Sequence, residues 1–228
     1  KGYTIKTGAN YNLNDFNNIF FNTGYISKAP RFQNIFDYDN KLYNEIENEK
    51  VKALEGGYSY RSSIFSSNIN FYYTIWENKP TGGITYTDPI TEEEVKANIN
   101  GLDALHKGVE MDFVYKINRK LSFEGLLSLG DWIWTSSETV RLYDDNNKPI
   151  LNEFGSPIDT SFNANGVHVG DAAQTQYGFS LRYEPVYNAY FKLRGTTFAD
   201  YYSEFDPLSL YGEFGGTESW VIPSYSIF

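Results

Sequence analysis

Apolar and polar residues alternate along much of this chain. In residues 109–117 the odd positions Val109, Met111, Phe113, Tyr115 and Ile117 are apolar, and Glu110, Asp112 and Lys116 lie between them. Ile69, Phe71, Tyr73 and Ile75 share a parity opposite Asn68 and Asn70, and Phe179, Leu181 and Tyr183 oppose Ser180, Arg182 and Glu184. A period of two places such side chains on opposite faces of a sheet. The pattern predicts strands over 3–12, 18–25, 51–62, 66–77, 105–117, 121–135, 174–185, 189–202 and 220–228.

The connections between these segments are short and long in strict alternation. The short ones are Asn14-Asp15-Phe16-Asn17, Ser62-Ser63-Ile64-Phe65, Asn118-Arg119-Lys120 and Pro185-Val186-Tyr187-Asn188. A soluble sandwich has no reason to sort its loops in this way, whereas an outer-membrane barrel keeps short turns on the periplasmic rim and long loops outside. The expected fold is all-β: an antiparallel transmembrane β-barrel with lipid outside and a polar interior. Nine strands is an odd count, and single-chain bacterial barrels take an even one, so residues 1–228 are expected to be part of a larger barrel. Within the loops, Glu92-Glu93-Glu94-Val95-Lys96 suggests a helical turn and Asp144-Asp145-Asn146-Asn147 the tip of a hairpin. No internal repeat beyond the hairpin cadence is evident.

Composition sharpens this picture. Aromatics make up 18% of the 228 residues, yet mean hydropathy is −0.48, as alternating strands with hydrophilic loops require. No run of 18 apolar residues occurs, which excludes a transmembrane helix but not a barrel. With no Cys, disulfides and thiolate metal sites are absent. The first residues, Lys1-Gly2-Tyr3-Thr4-Ile5, have no signal-peptide character. Net charge is −10 and sits in the long connections: 26–50, 77–104, 135–172 and 203–219 carry −1, −4, −4 and −4. Nucleic acid is an unsuitable partner for such a chain.

Candidate chemistry is sparse. His106 and His168 have no ligand neighbours at metal-site spacing, and Asp144–Asn147 lacks the spacing and Gly of a calcium loop. No Gly-x-Ser-x-Gly occurs. No catalytic residue, metal or cofactor is expected. Trp76, Trp132 and Trp134 stand apart: each lies at the outer end of a strand with the polar, inward parity. They are candidate ligand contacts by stacking; packing beneath the loops, or a bulge that turns them into the interfacial girdle, is the alternative.

Several stretches, in order, resemble the C-terminal part of the barrel of TonB-dependent outer-membrane receptors, particularly the Bacteroidetes type. They are Asn22-Thr23-Gly24-Tyr25 with Ala29-Pro30-Arg31-Phe32, Lys50 to Tyr58, Gly101-Leu102-Asp103 with His106, Gly108 and Glu110, Gly130-Asp131-Trp132-Ile133-Trp134, and Glu218-Ser219-Trp220 with Pro223-Ser224-Tyr225. The resemblance implies a plugged barrel of about 22 strands, of which residues 1–228 would be about nine, with the plug and remaining strands outside this segment. It implies active uptake of a scarce ligand such as a siderophore, cobalamin, glycan or peptide. The implied partners are outer-membrane lipid, the protein's own plug and missing strands, the inner-membrane TonB complex and a surface lipoprotein. The implied location is the outer membrane of a Gram-negative bacterium, long loops extracellular. A passive porin-like or adhesion barrel is the second reading, and a soluble β-rich glycan-binding domain the third.

Overall fold

Each alternating segment forms a strand. The computed structural model describes residues 1–30, 35, 36, 40, 42, 47–79, 82–87, 94–99, 101–204 and 219–228. Its strands are β1 (Tyr3–Asn12), β2 (Asn17–Lys28), β3 (Glu49–Arg61), β4 (Phe65–Lys79), β5 (Gly82–Thr87), β6 (Glu94–Ile99) and β7 (Leu102–Lys116). They continue with β8 (Leu121–Trp134), β9 (Ser137–Tyr143), β10 (Asp159–Asn163), β11 (Ala173–Val186), β12 (Ala189–Tyr202), β13 (Val221–Ile222) and β14 (Tyr225–Ile227). No helix forms among the described residues.

The main sheet is an antiparallel meander in the order β1-β2-β3-β4-β7-β8-β11-β12, with β13 and β14 sharing the far edge of β12. The segment expected as one strand over 220–228 is thus two short pieces. Pro223, between them, has no N–H to add to a ladder. Side chains set the short turns: Asn14 Oδ1 accepts the N–H of Phe16 and Asn17 at 2.9 and 3.0 Å, and Asn118 Oδ1 those of Lys120 and Leu121 at 2.8 and 3.1 Å. All four short turns fall on one rim and the long connections on the other. Among the described residues the sheet is open, because β1 and the β13/β14 column pair with nothing there on their outer sides.

Register carries each parity across the sheet. One row runs Tyr11, Ile19, Tyr58, Ile69, Met111, Leu127 and Tyr177. The next runs Phe21, Gly56, Phe71, Val109 and Leu129. Phe113, Gly125 and Phe179 form a third row, with the Phe113 ring lying where a Cβ on Gly125 would be. Asn70, Glu110, Asp112, Ser180 and Arg182 share the opposite face with Lys192 and Arg194, as the alternation predicts.

A further expectation is corrected. Glu94, Val95 and Lys96 open β6 and are not helical; Glu92 and Glu93 lie outside the described residues. Paired to β5 on one side and β9 on the other, β6 satisfies backbone groups that a lone helical turn leaves open. The long connections also hold a second sheet, in the order β10-β9-β6-β5, which the alternation did not reveal.

Candidate functional site

At the long-loop rim β4 and β8 carry indoles on the polar parity, with His106 of β7 between them. Trp76 pairs with Ala104 and Ala104 with Trp134, while Thr74, His106 and Trp132 form the row below. The bulge in β4 follows Trp76 and falls before Lys79, so Trp76 keeps its inward parity. Asn78, at φ 54°, makes that bulge and donates its N–H to Asp103 Oδ1 at 2.9 Å.

These side chains form one continuous group. The His106 ring lies 6.0 Å from Trp76 and 5.5 Å from Trp132. Trp76 Nε1 donates to Glu49 Oε1 at 2.9 Å, and the nearly buried Glu49 carboxylate also takes Lys28 Nζ at 2.7 Å. Trp132 Nε1 donates to Tyr72 Oη at 2.8 Å. The Tyr72 hydroxyl reaches it across Gly108, where any Cβ would collide with the phenol. Lys79 Nζ lies 4.8 Å from the Trp76 ring centre and 4.9 Å from that of Trp134, a cation held between two indole faces.

Above this group sits the cap made by the second sheet. Trp134, only 6% exposed, packs with Ala97, Leu102, Ala104, Val140, Ala164, Val167 and Val169, and Trp76 and Trp132 adjoin this core. The outer side of the cap is polar: Ser137 bonds Asn163, Thr139 bonds Ser161, and Arg141 makes a two-pronged pair with Asp159 at 2.9 and 3.2 Å. Half-buried Glu138 has its carboxyl pKa raised by burial and then by the Asp103 charge. β6 and β9 join the second and third long connections directly, at Lys96 with Tyr143 and Ala97 with Leu142.

Gln174 explains how the cap enters. It is 1% exposed; its Oε1 accepts the N–H of Trp132 at 2.8 Å, and its Nε2 donates to the carbonyls of Trp132 and Val169 at 3.0 and 3.1 Å. The β8–β11 ladder ends at Thr175 with Leu129. Beyond it, Trp134 N–H donates to Val167 and Val169 N–H to Trp132. The Gln174 amide stands in for a ladder rung and lets the returning loop slot between the two strands.

The third long connection also contains a repeat of period eight that pattern reading passed over: Asp144 to Ile150 and Asn152 to Ile158, each ending in Pro-Ile. In both, the first side chain's Oδ1 accepts two backbone N–H groups, and the fourth residue has positive φ, 59° at Asn147 and 76° at Gly155. Leu142, Ile150 and Ile158 close a ring of backbone hydrogen bonds at 2.8 to 3.1 Å. The Pro-Ile spacing was the available signal. Asp144–Asn147 is a turn tip, as expected, and Lys96 Nζ ties it down through the Asp145 carbonyl at 3.0 Å.

Trp76, Trp132 and Trp134 are therefore brought together, with Trp134 in the cap core and the other two half-buried beside it. The residues that sequence reading missed are Glu49, Tyr72 and Gln174, all distant in the chain from the indoles they contact, and Lys79, which neighbours Trp76 in the chain but reaches Trp134 from another strand. His106 lies inside β7 and belongs to the aromatic group, while His168 stacks on Tyr202 at 3.9 Å. No protein-family model, curated protein or solved structure matches this chain.

Proposed function

We propose that this chain is part of the wall of an outer-membrane receptor barrel: apolar face in lipid, polar face toward a lumen, long connections outside the cell. Its function is TonB-dependent active uptake of a scarce ligand, bound by loops and lumen, with no catalytic step in residues 1–228. The supporting observation is the exposed apolar face. Phe71 and Leu193 are each 57% exposed and Leu129 45%, within apolar rows that cross the sheet. Soluble monomers rarely leave so wide an apolar patch open.

The dimensions agree with a bilayer. On β8 the apolar parity runs from Leu121 to Leu129, then Asp131, then Ile133. At about 3.4 Å per residue and about 40° of tilt, that is roughly 21 Å to Leu129 and 31 Å to Ile133, bracketing the band of about 25 Å expected of such barrels. The open edges at β1 and β12–β14 need further strands, since unpaired backbone groups are costly in hydrocarbon. The transport step rests on the family resemblance: a plug within the closed barrel, drawn by the inner-membrane TonB complex, with a surface lipoprotein as outer partner. Trp76 and Trp132, under the cap, are the proposed ligand contacts, with Trp134 supporting them from the core.

The test is made on the full-length protein. Heat-modifiable migration and a detergent requirement are expected, with uptake of one among iron chelates, cobalamin, oligosaccharides or peptides that stops without TonB. Passage of solutes regardless of TonB would favour the passive barrel. Solubility without detergent would favour the glycan-binding domain and overturn the membrane reading.

A further inference from the structure

The Lys79 ammonium is held by ring faces and not by a carboxylate. Its Nζ lies 4.8 Å from the centre of the Trp76 ring and 4.9 Å from that of Trp134, and among the described residues it makes no ion pair. Three carboxylates act on it from beyond ion-pair distance: Glu204, Glu49 and Asp171. Glu49 is already paired with Lys28, whereas Asp171 and Glu204 make no ion pair among the described residues. The space between the indoles thus suits a positive charge, and negative charge is left over around it. The second, third and fourth long connections, which border this rim, each carry −4. Lys79 is also free to leave. It closes β4 beyond the bulge at Asn78, so its half-buried side chain can swing aside while its backbone stays paired with Leu102.

We propose that the ligand carries an organic cation, an ammonium on an aliphatic stem, which displaces the Lys79 ammonium and takes its place on the Trp76 face with Trp134 behind it. This rests on the uptake reading and names the ligand class for the same site. When Lys79 swings out, its ammonium regains water, while the indole faces and the Asp171 and Glu204 carboxylates lose the charge they faced. An incoming ammonium supplies it again, through the same cation–π contacts. A cleft bordered by one sign of charge also concentrates ligands of the other. An anion drawn to Lys79 would instead have to pass the acidic long connections and lie against Asp171 and Glu204. A neutral ligand would leave the ring faces without a positive partner.

The probes are Nα-acetyl-lysine amide, its Nε-acetylated form and Nα-acetyl-glutamate amide, titrated against the full-length protein in detergent and followed by indole fluorescence. The lysine derivative should bind saturably, and the other two about tenfold more weakly or not at all. Lys79→Met empties the position, so the lysine derivative should bind this variant about tenfold more tightly than the native protein. Trp76→Leu should abolish the preference for the cation, and D171N/E204Q should reduce it severalfold. Heat-modifiable migration checks that each variant is folded. Preference for the glutamate derivative, equal binding of the lysine and Nε-acetyl forms, or no gain in the Lys79→Met variant would overturn the site. So would the absence of saturable binding to both the native and the Lys79→Met proteins. TonB-dependent uptake of a neutral or anionic ligand without any cation preference refutes this inference alone; solute passage regardless of TonB refutes the uptake reading with it.

Discussion

The main sheet and the cap sheet are built from the same alternation and put it to opposite use. In the cap, Val140 is 4% exposed and turned to the Trp134 core, while Thr139 and Ser161 pair on the solvent side. That is how a sheet behaves with water on one face. In the main sheet the large apolar side chains Phe71, Tyr73, Leu129 and Leu193 are exposed, and the polar parity carries Asn, Glu, Asp, Lys and Arg toward the other face. Alternation alone does not say which face meets which solvent. What tells the two apart is whether another layer covers the apolar side, and among the described residues only the cap has one.

The largest effect should come from reversing the main sheet's outer face. On the membrane reading proposed above, Phe113→Arg, near the middle of the apolar band, should cost about 2–4 kcal/mol of stability, and Asp112→Asn far less. Equal costs in a lipid-vesicle folding titration would erase the contrast between the two faces.

A second test asks whether the cap depends on its one buried amide. Gln174→Leu removes the group that bonds the Trp132 N–H, leaving that donor and the Trp132 and Val169 carbonyls without it, at about 1–3 kcal/mol. The loss should appear as faster proteolysis within 135–172 while the main sheet stays intact. Unfolding of both sheets together would show that they are not separable units.

Smaller still is the tie between loops. Lys96→Met should cost roughly 0.5–1 kcal/mol and raise backbone exchange at the 144–148 turn, leaving the Asn152 turn as it was. Matching changes in both turns would mean that the repeat, and not the lysine, sets their stability.

The smallest effect concerns pH. Glu138 has a raised carboxyl pKa in the fold, from burial and then Asp103. Its contribution is therefore fully present below the unfolded carboxyl pKa and is lost as pH rises through the folded one. Glu138→Gln should stabilise the cap at neutral pH by less than about 1 kcal/mol and flatten its acid-range profile in amide exchange. A variant less stable than the native cap at pH 7 would contradict the shift.

Much of the main sheet was legible because its information is local. The strand expected over 189–202 is β12 itself, and the others lie within about three residues of the expected bounds, apart from the break at Pro223. Errors gather at the long-loop ends: β7 begins at Leu102 and β2 runs on to Lys28, where pairing continues beyond the alternating core. The candidate site was legible in its indoles alone. Glu49 is 27 residues from Trp76, and Tyr72 is 60 from Trp132, separations that no local pattern reports.

By itself the sequence determined the eight long strands of the main sheet, the sorting of its connections and the parity of its side chains, because each follows from a period of two and a short turn. Tertiary structure alone decided the cap. Its strands are five to seven residues long, and the bond between its halves joins Lys96 to Tyr143, so its formation depends on a meander that first brings two distant loops to the same rim. Tertiary structure also decided that Lys79 lies between Trp76 and Trp134, because a contact between a bulge on one strand and the end of another exists only once register is set.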